Sequence, residues 1–138
     1  RIGINGSVLF ALNADRLQPE GRALLESLVK PLDAYLAQHD ELLMVSGFTD
    51  DLPIQQGNPR YADNWGLSAQ RALTVTRTLI DQGLPAERIF AAAFGDNQPV
   101  TPNTDSAARA KNRRVEITTV PRAEATAGAP EQAEKSDE

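Results

Sequence analysis

The stretch GFTDDLPIQQGNPRYADNWGLSAQRA, residues 47–72, decides the fold. It joins a continuous apolar run at residues 42–48, typical of a buried strand, to an amphipathic segment that begins near Asn64 and is predicted to be a helix. A loop rich in Pro, Gly and Asn separates the two. A helix packed on its preceding strand returns the chain beside that strand. We therefore expect Asp50, at the strand end, to lie near Arg71, in the helix.

Two interpretations of this Asp50 and Arg71 pair follow from the spacing. The first is a structural salt bridge that closes the loop, a common surface feature worth about 0–1 kcal/mol. The second is a receptor for a zwitterion, in which Asp50 accepts an ammonium group and Arg71 holds a carboxylate through its planar fork. Spacing alone favours the salt bridge.

The remaining elements predict an α/β fold. Strands are expected at residues 7–11, 89–94 and 113–120. Helices are expected from Pro19 onwards with a kink or local break at Pro31, at about residues 64–82, and as a short helix at 106–110. The order βαβαβ(α)β predicts a two-layer sandwich with helices on one face of a four-stranded mixed sheet. Arg114, Glu116 and Thr118 are expected on the opposite, solvated face.

The composition excludes several classes of function. The 138 residues carry 14 Lys and Arg against 19 Asp and Glu, a net charge of −5, which argues against nucleic-acid binding. With no cysteine and one histidine, neither thiol nor zinc nor Ser-His-Asp chemistry is expected, and the adjacent acids Asp50 and Asp51 make a poor metal cage. We predict no enzymatic activity, no cofactor and no metal.

The two ends of the chain give further expectations. Residues 1–120 are predicted to form one domain, and residues 121–138, with five acids and two bases, an acidic disordered tail. No run approaches the ~20 apolar residues of a membrane span. Because the chain begins with Arg1 and not Met, we expect it to be a fragment or a processed product.

Three ordered motifs resemble the OmpA-like peptidoglycan-binding domain. They are Gly-Phe-Thr-Asp at 47–50, Asn-Trp-Gly-Leu-Ser-Ala-Gln-Arg-Ala at 64–72 and Asn-Arg-Arg-Val-Glu-Ile at 112–117. The resemblance spans roughly residues 5–120. The long loop after Asp50 and the Asn-Trp-x-Leu-Ser motif are most similar to flagellar stator proteins of the MotB and MotD type. Phe48 stands where the family usually has His, and it is expected to alter ligand orientation or pH response.

The resemblance implies a ligand and a set of ligand-binding residues. The ligand is the meso-diaminopimelate of the peptidoglycan stem, with Asp50 as the ammonium partner and Arg71 as the carboxylate partner. Thr49, Asn64, Leu67 and Ser68 would shape the pocket. Arg113 is either a further ligand-binding residue or a charge that caps the sheet edge.

Two other residues keep open interpretations. Asp51 is interpreted as an N-cap or as support for the site. Trp65 is interpreted as a packing anchor in preference to a platform for a sugar ring.

The function implied by the resemblance is anchoring of a flagellar stator complex to the cell wall. Its setting would be the periplasmic domain of a bacterial inner-membrane protein, a homodimer that joins a MotA-type channel subunit through an N-terminal membrane helix. One alternative is the wall anchor of a secretion system, a lipoprotein or an outer-membrane protein. The other is an amidase or transglycosylase, against which the missing metal ligands argue.

Overall fold

The computed structural model describes residues 1–11 and 14–122, which form four strands and four helices. The strands are β1 (Ile2–Asn5), β2 (Glu41–Phe48), β3 (Ile89–Gly95) and β4 (Arg114–Pro121). The helices are α1 (Gly6–Leu9), α2 (Pro19–Gln38), α3 (Asn64–Asp81) and α4 (Ser106–Asn112). A single 3₁₀ turn, Ala86–Arg88, precedes β3.

The strands form one mixed sheet in the order β1-β4-β2-β3. β2 and β3 are parallel, whereas β4 lies antiparallel to both β1 and β2. The predicted fold class, a two-layer α/β sandwich with a four-stranded mixed sheet, is confirmed. Because β2 and β3 are parallel, both end at the edge of the sheet where α3 begins.

The core lies between one face of the sheet and helices α2 and α3. Leu43 and Val45 of β2 and Val115 and Ile117 of β4 supply the sheet side. The helices supply Leu25, Leu32 and Leu36 from α2 and Ala72, Val75 and Leu79 from α3. These positions follow the 3.6-residue period of the sequence. α2 continues through Pro31 as a single helix.

The predicted strand at residues 7–11 is wrong. Residues 6–9 form the short helix α1, and the first strand lies before it, at Ile2–Asn5. The side chain of Asn5 caps α1 by accepting a hydrogen bond from the Ser7 amide at 2.9 Å. A short apolar run has no distinct period, so sequence alone does not separate a strand from one helical turn.

The helix-free face of the sheet is less solvated than the sequence predicts. Glu116 is only 7% exposed, and its carboxylate pairs with the Nε of Arg114 at 2.6 Å. Arg114 also donates to the Gln98 carbonyl at 3.0 Å. The loop after β3 therefore folds back over this face and covers residues that strand alternation assigned to solvent.

Two sequence predictions concern residues at or beyond the limits of the described chain. The predicted acidic tail lies outside the described residues from 123 onwards, so the proposed domain boundary stays a prediction. Strand β4 includes Pro121. Within the described residues, none of the helices combines the length and apolarity needed to cross a bilayer.

Candidate ligand-binding site

A cavity of about 220 Å³ opens where β2 ends and α3 begins. Six of the seven predicted site residues line it: Thr49, Asp50, Asn64, Leu67, Arg71 and Arg113. The loop adds Leu52, Pro53 and Ile54, which sequence reasoning did not single out. Asn64, Leu67 and Arg71 reach the cavity together because residues three and four apart share one face of a helix.

Asp50 is held at the end of β2 by its own loop. Its Oδ1 accepts a hydrogen bond from the Leu52 amide at 3.0 Å. The side-chain amide of Asn64 donates to the Leu52 carbonyl at 3.1 Å, which ties the same turn to the first residue of α3. The Thr49 amide donates to the Gly95 carbonyl at 2.8 Å, so the β2–β3 ladder continues up to the site.

Arg71 does not pair with Asp50. Its Nε donates to the Ala14 carbonyl at 2.8 Å and one Nη donates to the Ala11 carbonyl at 3.4 Å. Its guanidinium carbon lies 5.0 Å from the ring centre of Phe10. The residue is 6% exposed. Burial is the main cause that lowers the pKa of Arg71, and the nearby Arg113 charge acts in the same direction.

The salt-bridge partner of Asp50 is Arg113. The Nη1 of Arg113 donates to Asp50 Oδ2 at 2.6 Å. Arg113 follows α4 directly as its C-terminal cap residue, and its carbonyl accepts from the Gly6 amide. The sequence suggested an Asp50–Arg71 loop closure, but the ion pair connects Asp50 with the segment before β4 instead.

Ser68 and Phe48 lie outside the lining of the cavity. The hydroxyl of Ser68 donates to the Trp65 carbonyl and accepts from the Gly95 amide, both at 3.0 Å, so it fastens α3 to the end of β3. Phe48 points to the helix-free face of the sheet, where it stacks on Phe94 and lies under Arg114.

Two side chains next to the site, Asp51 and Trp65, had more than one interpretation. Asp51 is not the N-cap of α3, since Asp63 caps that helix through the Gly66 amide at 2.9 Å. Asp51 instead pairs with Arg109 of α4 at 2.9 Å. Trp65 is 52% exposed, and its indole ring lies beside Gly95 at the end of β3.

The cavity presents groups that are complementary to charged ligands. It brings one carboxylate and two guanidinium groups together beside an apolar wall of Leu52, Ile54 and Leu67. A carboxylate accepts from ammonium groups, and a guanidinium donates to carboxylates. The described residues therefore present complementary groups for both ends of a zwitterion.

Comparisons with known proteins identify the family of this chain. Residues 9–113 match the model of the OmpA family. Outer membrane protein A of Escherichia fergusonii is 37% identical over 123 residues, which cover 83% of this chain and 48% of that protein. The chain thus spans about half the length of that relative.

Two solved structures share the fold at higher than 30% identity. A MotB-like protein from Desulfovibrio vulgaris has a TM-score of 0.75 and 33% identity, covering 86% of this chain and 71% of its own. The cell wall anchor of the T6SS from Pseudomonas aeruginosa has a TM-score of 0.73 and 35% identity, covering 86% and 78%. The matched motifs, the fold and the family model agree: the chain belongs to the OmpA family.

Proposed function

We propose that this chain binds peptidoglycan without catalysing a reaction, and that it recognises the diaminopimelate of the peptide stem. The observation that carries the proposal is the cavity that Asp50, Arg71 and Arg113 share. The side chain of diaminopimelate ends in one carbon that bears both an amine and a carboxylate. Asp50 is the partner proposed for the amine, and Arg71 is the partner proposed for the carboxylate.

The other predicted residues take supporting roles in this proposal. Thr49 and Asn64 set the position of the Asp50 turn through the hydrogen bonds described above. Leu67 supplies an apolar surface for the methylene groups of the ligand. Ser68 acts from outside the cavity, by fixing the helix that carries Arg71.

The biological setting we propose is a flagellar motor stator. In this setting the domain is periplasmic and belongs to an inner-membrane protein, which joins a MotA-type channel subunit through an N-terminal membrane helix. The MotB-like structural neighbour supports this setting. The long loop after Asp50, which contributes Leu52, Pro53 and Ile54 to the cavity, is the feature of this chain that favours a stator.

A second setting is supported by a specific neighbour. The T6SS cell wall anchor is 35% identical to this chain, so an anchor of a secretion system or another envelope component is the alternative. The cavity and its ligand would be the same. Sequencing the gene upstream of Arg1 separates the two, since a stator predicts a membrane helix with an embedded Asp.

A homodimer is part of the proposed assembly. Its support is a partly exposed apolar strip formed by Ala69 and Leu73 of α3 and by Ala91, Ala92 and Ala93 of β3. β3 is an edge strand without a charged residue, the kind of edge that proteins usually cover. Analytical ultracentrifugation of wild type and Ala91→Lys tests it, because a lysine on the strip should shift the equilibrium toward monomer.

The pull-down of purified peptidoglycan tests the function itself. Wild type, Asp50→Ala and Arg71→Ala are incubated with the insoluble wall and sedimented, with circular dichroism to confirm folding. Asp81→Ala is the matched control for Asp50→Ala and Arg77→Ala is the matched control for Arg71→Ala, because each removes an exposed charge of the same sign from α3, outside the cavity. Binding by wild type and controls, and its loss in both folded site variants, is the expected result.

Two outcomes would contradict the proposal. Equal binding by all five proteins would show that Asp50 and Arg71 have only a structural role. Cleavage of peptidoglycan in a zymogram would show that the chain is an enzyme.

A further inference from the structure

The charges that line the cavity do not balance. Two guanidinium groups, Arg71 and Arg113, face one carboxylate, Asp50. We propose that Arg113 sets the ligand selectivity: by neutralising Asp50 it leaves Arg71 as the unmatched charge, so the cavity selects for a carboxylate first and an ammonium second. This inference rests on the proposed function and concerns the same cavity.

Arg71 is the unmatched charge because its hydrogen-bond partners are neutral, and the carboxylates of Asp15 and Asp50 act on it only from beyond salt-bridge distance. Its two hydrogen bonds within residues 1–11 and 14–122 go to backbone carbonyls, those of Ala14 and Ala11. Within the described part of the chain, no carboxylate lies within the 4.0 Å salt-bridge distance of its guanidinium. A buried charge without a counter-ion is costly, and a ligand carboxylate that supplies one recovers that cost.

Asp50, in contrast, is already satisfied. One oxygen accepts from the Leu52 amide at 3.0 Å and the other from Arg113 at 2.6 Å. A ligand ammonium must share the second oxygen with Arg113 or displace it. Since the Arg113 side chain is 30% exposed, it can move into solvent, but the ammonium then gains only the difference between two ion pairs.

The consequence is a preference among stem peptides that differ at one group. A side chain that ends in a free carboxylate satisfies Arg71, with or without the neighbouring amine. A side chain that ends in an amine alone, or whose carboxylate is amidated, leaves Arg71 without a counter-ion. We therefore expect such ligands to bind weakly even though Asp50 is present.

Three small probes with blocked backbone amine and carboxylate isolate the two terminal groups. The first is blocked diaminopimelate, which has both groups; the second is blocked 2-aminopimelate, which has the carboxylate only; the third is blocked lysine, which has the amine only. Titration calorimetry measures each against wild type, Arg113→Gln and Arg109→Gln. Arg109 is the matched control, because it pairs with Asp51 outside the cavity.

For wild type we expect the carboxylate-only probe to bind at least about tenfold more tightly than the amine-only probe, as one hydrogen-bonded charge pair would give. In Arg113→Gln this ratio should fall at least about tenfold, mainly because the amine-only probe binds better to the uncovered Asp50. Arg109→Gln should keep the wild-type ratio. Arg113→Lys, which retains a cation beside Asp50, should also keep most of it.

Equal binding of the two single-group probes to wild type would overturn the inference. So would an Arg113→Gln variant that weakens all three probes by one common factor, because Arg113 would then be a simple contact. If Arg113→Gln does not fold, the wild-type ratio alone decides. Wild type that sediments with peptidoglycan but fails to rank the probes contradicts this inference only, whereas wild type that binds neither contradicts the proposed function too.

Discussion

Substitution of Gly47 with alanine should destabilise the fold and disrupt the site at the same time. Gly47 lies in β2 directly under α3. A Cβ atom added there would be 2.2 Å from the Ser68 carbonyl oxygen and 2.9 Å from its carbonyl carbon. Both are backbone atoms of the helix, so no side-chain rotation relieves the contact.

The magnitude follows from this geometry. Real Cβ atoms essentially never come closer than 3.0 Å to another heavy atom, so α3 and β2 must separate by about 1 Å. Overpacking of this kind typically costs about 1–3 kcal/mol of unfolding free energy, and we expect about 3 kcal/mol because the backbone has to move. The shift separates Asp50 from Arg71, which should weaken ligand binding about tenfold or more.

Urea denaturation and peptidoglycan sedimentation measure the two effects. Gly3→Ala is the matched control, since Gly3 is also in a strand and its added Cβ would meet no atom within 4 Å. Its unfolding free energy should change by less than about 0.5 kcal/mol. A Gly47→Ala protein that loses less than about 1 kcal/mol and still binds the wall would refute the reasoning.

Three further substitutions test the guanidinium fork of Arg71 and the structural hydrogen bonds of Ser68 and Asn112. Arg71→Lys keeps the charge but loses the fork held beside Phe10, so the folded protein should bind peptidoglycan about tenfold less tightly in the sedimentation assay. Ser68→Ala leaves the buried Gly95 amide unpaired and should cost about 1–3 kcal/mol in urea denaturation; lost wall binding in the folded variant would place Ser68 in the ligand site instead. Asn112→Ala removes four hydrogen bonds from the loop at 100–103 and should cost about 3 kcal/mol, with an unchanged urea midpoint arguing against it.

Much of the fold was predictable because the spacing of apolar residues within a segment indicates its secondary structure. The helical stripe of α3 and the apolar run of β2 assign both elements, and the predicted bounds differ from the observed ones by one residue. The strand prediction for residues 7–11 was wrong because this segment is too short to show a period and because its helix depends on a cap by Asn5. The prediction that Glu116 faces solvent was wrong because a loop distant in sequence covers it.

The candidate site, like the fold, was predictable from the sequence only in part. The sequence by itself determined which charged residues lie at the two ends of the loop, since a strand followed by a packed helix has few ways to return. Only the tertiary structure decided how these charges pair. The Asp50 carboxylate pairs with Arg113, which is 63 residues away in the sequence. Arg71 instead donates a hydrogen bond to the Ala14 carbonyl. Ion pairs and hydrogen bonds between distant segments depend on distances of a few ångströms, and no pattern of neighbouring residues encodes those distances.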